Sequence, residues 1–300
     1  MKHLFLLCCL SVTLAFPAFV SAEKPLQLAK LDPDNHPVSA TKPAIWRDLN
    51  PKKLKLRSAA ALVVDKDGNE VYAKQENEPM PIASITKLMT AMVILDSKLP
   101  MQEKITITKV DRDLIQLTGS RLEYGAKLTR REMLQLALMA SENRAANSLG
   151  RTFPGGMKAF ARAMNKKATS LGMKSSRFSD PAGLNAGNIA SARDLVKMVQ
   201  AAMQYPFIRK ATTTRSISVR PYKGRGELRY INTNRLLKSK SWDIQLSKTG
   251  YLNESGRCLT MQAEIVNQPL VIVLLNSFGK LTPFGDSNRL RKWIESGVGG

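Results

Sequence analysis

Hydrophobic positions along the chain fall in blocks of different period. An apolar run over 59–64, a turn at Lys66-Asp67-Gly68-Asn69 and a second run over 70–74 predict a β-hairpin. Over 85–95 the apolar residues Leu88, Met89, Met92, Val93, Ile94 and Leu95 cover nearly every face, which predicts a helix buried in the middle of a domain. Thr129-Arg130-Arg131-Glu132 reads as a capping box ahead of a second buried helix carrying Met133, Leu134, Leu136, Ala137, Leu138 and Met139. Helical patterns follow over 157–171, stopped by Gly172, and over 191–203, opened by Ser191; the stretch 180–185 between them is loop chemistry. Strand patterns return over 244–247, 258–265 and 270–276. The turns between them, at Asn253-Glu254-Ser255-Gly256 and Asn267-Gln268-Pro269, are short enough to make those strands antiparallel neighbours. A last helix places Leu290, Trp293 and Ile294 at core spacing. The expected fold is α/β of the α+β type: an antiparallel sheet flanked by helices plus a mostly helical block, with a cleft between them.

The first 57 residues differ from the rest. A basic start (Lys2, His3), an apolar run from Leu4 to Leu14 extended through Phe16 and Phe19, and the small residues Ser21 and Ala22 read as a secretory signal over 1–22, cleaved after Ala22. The run is shorter than the ~20 residues of a membrane span, so no stable membrane anchor is expected. Residues 23–57 contain Pro25, Pro33, Pro37, Pro43 and Pro51 with Lys52, Lys53 and Lys55 and no sustained period, and read as an extended basic arm. A single folded domain is expected over 58–299. Removal of Cys8 and Cys9 with the signal leaves Cys258 alone, so an exported chain must rely on its core rather than on a disulfide.

The balance of 46 Lys+Arg against 24 Asp+Glu, a formal charge of +22, raises the question of nucleic acid. The basic residues are spread along the sequence without an aromatic-interleaved patch, and export removes the usual partner. Nucleic-acid binding is therefore not expected, and anionic envelope polymers or plain solvation account for the charge.

Three short boxes carry the candidate chemistry. Ser-x-x-Lys occurs at Ser21, Ser39, Ser84 and Ser277, whereas Ser141-Glu142-Asn143 and Lys248-Thr249-Gly250 each represent a pattern that occurs once. Ser21 lies in the signal, Ser39 in the arm, and Ser277 between a strand and a turn. Ser84 stands at the mouth of the buried helix, where residues three apart are neighbours, so Lys87 falls beside its hydroxyl. A serine becomes a nucleophile when a base takes its proton. A lysine is such a base once burial or a second cation, here Lys248, lowers its pKa. Ser84's own amide at the helix start can donate to a developing oxyanion. Ser141 and Asn143 leave the end of the second helix together, and Gly250 lets a substrate approach a strand along which Lys248 and Thr249 can hold a carboxylate.

In this order the boxes, with the segments Pro81 to Met92, Leu138 to Ala146 and Ile244 to Gly250, resemble low-molecular-mass penicillin-binding proteins of the serine D-alanyl-D-alanine peptidase family, in particular their endopeptidase branch. The resemblance covers nearly everything from about Ala59 onward and implies a β-lactamase/D,D-peptidase-like fold. It implies Ser84 as nucleophile, Lys87 as proton acceptor and Ser141 as relay to the leaving amine. It further implies Asn143 holding a substrate amide, Lys248, Thr249 and Gly250 on the leaving side, and the amides of Ser84 and Tyr251 as the oxyanion hole. It implies a periplasmic enzyme that opens D-alanyl cross-links in peptidoglycan, is acylated by β-lactams and needs no metal or other cofactor. His3 and His36 both precede the expected domain, which removes a Ser-His-Asp triad and a histidine-ligated zinc from consideration. Three alternatives remain: a D-alanyl-D-alanine carboxypeptidase, a class A β-lactamase and a non-catalytic wall-binding protein. No Glu-x-x-Leu-Asn segment lies between Ser141 and Lys248, which argues against the β-lactamase. The roughly 50 residues after Gly250 leave no room for a further C-terminal domain or an amphipathic anchor, which favours the endopeptidase over the carboxypeptidase.

Overall fold

The computed structural model describes residues 43–298. The expected signal over 1–22 and the arm as far as residue 42 lie outside the described residues. Five strands form one antiparallel sheet: β1 (Ser58–Asp65), β2 (Glu70–Lys74), β3 (Asp243–Leu252), β4 (Gly256–Ile265) and β5 (Gln268–Ser277). Their spatial order is β2-β1-β5-β4-β3, so the first hairpin joins the last three strands through a β1–β5 pairing that runs from Ser58↔Ser277 to Asp65↔Leu270.

Successive side chains of a strand point to opposite faces, and here both faces are apolar. Ala60, Leu62 and Val64 of β1, with Val271, Val273 and Leu275 of β5, face a core shared with the helical block. Ala61 and Val63, with Leu270, Ile272 and Leu274, face a second core on the far side.

The helical block is built around α1 (Thr86–Asp96), of which every residue from Thr86 to Ile94 is buried. Around it lie α2 (Arg130–Met139), α3 (Asn143–Arg151), α4 (Gly156–Ser170), α5 (Ala192–Ala202) and α6 (Pro206–Thr213). The capping box forms as expected: the Thr129 hydroxyl accepts from the Glu132 amide while the Glu132 carboxylate accepts from the Thr129 amide. Ser191 caps α5 by accepting from the Asp194 amide. Helix α3 was not expected. Its buried residues are Ala145, Ala146, Asn147, Ser148, Leu149 and Gly150, too small and polar to register as an apolar stripe.

The far face of the sheet is covered by α7 (Thr282–Val298) and by residues 43–57. The latter belonged to the expected extended arm, and this corrects its boundary. Trp46 is fully buried, Leu49, Leu54 and Leu56 are buried beside it, and the Trp46 indole N–H donates to Asp65 Oδ2 at 2.8 Å. The Trp293 indole of α7 donates to the Asn50 carbonyl at 2.9 Å. These apolar residues follow neither a two-residue nor a 3.6-residue period, which hid them among prolines and lysines. At the start of β1, the buried Asp286 carboxylate of α7 accepts from the Ser58 amide at 2.7 Å and from the Ser58 hydroxyl at 2.6 Å. The domain therefore begins before residue 58.

Replacing a buried tryptophan by alanine removes its transfer free energy and leaves a cavity. Trp46→Ala is expected to cost about 3–5 kcal/mol in urea unfolding. A loss below about 1 kcal/mol would return residues 43–57 to the status of a loose arm.

Candidate active site

Ser84 lies in a single 3-10 turn, Ala83–Ile85, that runs directly into α1. Ala83 adopts a left-handed φ of 47°, which turns the chain sharply so that the serine faces outward while Ile82, Ala83 and Ile85 remain buried. One helical turn later, Lys87 is fully buried, with its Nζ 2.7 Å from Ser84 Oγ. The same Nζ lies 2.7 Å from Asn143 Oδ1 and 2.7 Å from the Ala182 carbonyl. A neutral amine has two N–H groups and one lone pair. With the two N–H groups donated to Asn143 and Ala182, the lone pair is left facing the Ser84 hydroxyl, the arrangement needed to accept its proton.

Burial lowers the Lys87 pKa to about 7, against the opposing pull of Asp180, Glu142 and Asp113. Lys248 is also fully buried and pushed well below the ordinary lysine range, first by burial and then by the charge of Lys87. Loss of water is the first cause for both lysines, and their mutual repulsion disfavours carrying both charges at once.

The second box forms an elbow between two helices. Helix α2 ends at Met139, Ser141 takes a left-handed φ of 60°, and Glu142 caps α3 by accepting from the Arg144 amide. Ser141 Oγ accepts from Lys248 Nζ at 2.9 Å, joining the second and third boxes across the cleft. Lys248 Nζ also donates to the Thr249 carbonyl at 2.9 Å. Asn143 begins α3, and both ends of its carboxamide are engaged: Oδ1 accepts from Lys87, and Nδ2 donates to Thr118 Oγ1 at 2.8 Å. Glu142 is buried, and burial raises its pKa despite the hydrogen bond from the Ser120 hydroxyl.

The third box sits on the sheet's edge strand. A Cβ at Gly250 would lie 2.8 Å from the Ile82 carbonyl and 3.2 Å from the Ser84 amide nitrogen, so β3 can pass Ser84 this closely only as glycine. This contact brings the 250–251 backbone alongside the Ser84 amide. The Thr249 hydroxyl donates to Thr233 Oγ1 at 2.6 Å, and the exposed Tyr251 ring lies beneath the Arg257 guanidinium, 4.1 Å from its centroid. Ser84, Ser141, Asn143, Thr249, Gly250 and Tyr251 all line one cleft of about 790 Å³.

Two supports escaped the sequence reading. The Asp180 carboxylate accepts from the amides of Ala182, Gly183, Leu184 and Asn185, and so shapes the loop that delivers the Ala182 carbonyl to Lys87. The signal lies in Asp180-Pro181-Ala182-Gly183-Leu184, which the sequence marks only as loop chemistry. The other is Asp113, which accepts from the Thr118 hydroxyl at 2.6 Å and thereby orients Asn143. No local pattern marks Asp113, because it acts through a residue 25 positions from the threonine's partner. Ser277 of the rejected fourth Ser-x-x-Lys is buried at the end of β5, its hydroxyl paired with that of Ser58 at 2.7 Å. Among the described residues, no group of three or more His, Cys, Asp or Glu side chains is placed to hold a metal ion.

The family model for D-alanyl-D-alanine carboxypeptidases, peptidase family S11, matches residues 47–279. The chain belongs to this family. The S11 chain is 46% identical over 248 residues to a D-alanyl-D-alanine endopeptidase of Pseudomonas aeruginosa, covering 82% of this chain and 80% of that one. It is 45% identical to a D-alanyl-D-alanine endopeptidase of Escherichia coli, covering 81% and 78%. Among solved structures, a variant of a Streptomyces DD-transpeptidase superposes with a TM-score of 0.74 at 26% identity, covering 81% of this chain and 99% of that one. The fold is thus that of the D,D-peptidases, as the sequence resemblance implied.

If Lys87 accepts the Ser84 proton, activity requires the neutral amine and falls where Lys87 is protonated. Acylation by a fluorescent penicillin is expected to rise as pH passes through about 7 and to level off above it. A rate that stays flat between about pH 5.5 and 8.5 would remove Lys87 from that role.

Proposed function

We propose that the chain is an exported serine D-alanyl-D-alanine endopeptidase that opens D-alanyl cross-links of peptidoglycan through an acyl-enzyme on Ser84. The observation that carries the mechanism is the placement of Lys87 Nζ, 2.7 Å from Ser84 Oγ and 2.7 Å from each of two further acceptors. In this reading Ser84 attacks the D-alanine carbonyl while Lys87 takes its proton. The oxyanion forms against the amides of Ser84 and Tyr251. Ser141, linked to Lys248, passes a proton to the leaving amine. Lys248 and Thr249 hold the carboxylate beside that amine, Asn143 meets the substrate amide while fixing Lys87, and Gly250 keeps the edge strand open for the bound peptide. Water then releases the acyl group. A β-lactam acylates the same serine, and its product resists that water.

The choice of endopeptidase rests on the relatives. Those at 46% and 45% identity are endopeptidases, whereas a Bacillus subtilis relative at 32% is a D-alanyl-D-alanine carboxypeptidase. A β-lactamase would need a carboxylate free to activate the deacylating water. Asp180, in the loop facing Lys87, instead has its oxygens occupied by four backbone amides and the Asn188 carboxamide. Export rests on the signal read over 1–22 and would place the enzyme in the periplasm. Among the described residues no helix is long and apolar enough to cross a membrane.

Purified protein is expected to cleave cross-linked muropeptide dimers faster than pentapeptide monomers, and Ser84→Ala to lose at least about 10³-fold in both reactions. Faster hydrolysis of the monomer would make the chain a carboxypeptidase. Penicillin is expected to leave a stable adduct on Ser84, visible by mass spectrometry long after free drug is removed; rapid turnover would point to a β-lactamase.

A further inference from the structure

The cleft does not end at the catalytic residues. Beyond Thr249 it continues between the 231–238 segment and the 280–284 segment, and its lining there includes Arg235, Lys238, Arg257 and Lys280. The whole lining holds these four cations and no carboxylate. Among the described residues, none of the four side chains forms an ion pair or a hydrogen bond, although the fold makes eleven salt bridges elsewhere. Unpaired cations gathered around one basin repel one another, and an arrangement of that kind is relieved by an anion bound between them.

The position of the basin is fixed by the architecture. Thr249 and Thr233 are joined by a 2.6 Å hydrogen bond, so the 3-10 turn Arg235–Lys238 follows directly from the point where the edge strand meets its neighbouring segment. The Asn234 side chain caps that turn by accepting from the Leu236 amide, and Leu236 and Leu237 are buried, so the turn is held while its two charges stay exposed. Arg257 pairs across the sheet with Tyr251 and stacks on its ring, which holds that charge at the cleft wall. Lys280 follows β5 on the opposite lip.

We infer that this basin is a binding subsite for carboxylates of a peptide leaving group, lying beyond the carboxylate held by Lys248 and Thr249. The inference rests on the D-alanyl peptidase reading above. A free D-alanine leaving group carries one carboxylate, which the edge strand takes. A peptide stem in its place carries at least one more, at its own C-terminus, and the extended cleft meets that second charge with Arg235, Lys238, Arg257 and Lys280. The basin thus separates two reactions that are identical at the scissile bond. Because most of its charges are exposed, the effect is screened by salt.

Two measurements test the subsite. The first follows the ratio of kcat/KM for cross-linked dimer to that for pentapeptide monomer in the triple variant Arg235→Gln, Lys238→Gln, Lys280→Gln. The ratio is expected to fall about tenfold, and the native ratio to fall severalfold when sodium chloride is raised from about 0.05 to 0.5 M. An equal fall for both substrates, or no fall, overturns the inference. The second needs no hydrolysis. The peptide released from the leaving side, with its carboxylates free or amidated, competes against fluorescent penicillin for Ser84. The free acid is expected to compete about fivefold better, and the triple variant to lose that preference. Equal competition by the two peptides, or a preference that survives the triple substitution, overturns the inference. If the native protein prefers the monomer, the endopeptidase reading falls, and the competition experiment still decides the subsite.

Discussion

A lysine amine with no access to water is the constraint around which this molecule is organised. Burying an unpaired ammonium costs several kcal/mol, and a lysine so placed either finds acceptors or gives up its proton. Lys87 does both: burial brings its pKa to about 7, and three oxygens surround it at 2.7 Å. Each of those oxygens comes from a different part of the chain. Ser84 stands one turn earlier on the same helix, Asn143 opens α3, and Ala182 belongs to a loop shaped by the Asp180 carboxylate. The apolar packing of α1, which dries the amine, thus sets the Lys87 charge as well as forming the core.

The electrostatics divide the site into two layers. The carboxylates that act on Lys87, namely Asp180, Glu142 and Asp113, sit behind the cleft wall, and each accepts hydrogen bonds from nearby amides or hydroxyls. None of them lines the cleft. A bound anion therefore meets cations and neutral donors first, while the negative charge remains far enough back to tune the lysine without repelling the ligand.

Much of this was legible in the sequence, for identifiable reasons. The all-round apolar segment around Met89 and Met92 marked α1, and with it the one Ser-x-x-Lys whose lysine could be dried. The Thr129 and Glu132 capping box marked α2, and the short turns near the C-terminus marked three antiparallel strands. What stayed hidden depends on tertiary partners. Trp46, Leu49, Leu54 and Leu56 carry no period because each fills a separate gap over the far face of the sheet. Helix α3 is lined with alanine, serine and glycine, since α4 and the 181 region approach closely enough to forbid more: a Cβ on Gly150 would stand 2.8 Å from Met157 Sδ and from Pro181 Cγ. Asp113 acts at second hand, through Thr118, and Ala182 acts by a backbone carbonyl, so neither leaves a mark in residue type.

The central pairing of β1 with β5 has a consequence for how the molecule comes into being. Ser58 finds its partner in Ser277, more than two hundred positions later, and the buried Asp286 that receives the Ser58 amide lies further along still. A chain emerging N-terminus first, from a ribosome or through a translocation pore, holds the start of its sheet unpartnered until almost all of the rest has followed. Ser84 shares in that delay, because the edge strand that closes over it reaches the sheet only through β4 and β5. Assembly of the cleft around Ser84 is therefore coupled by strand order to arrival of the C-terminal strands.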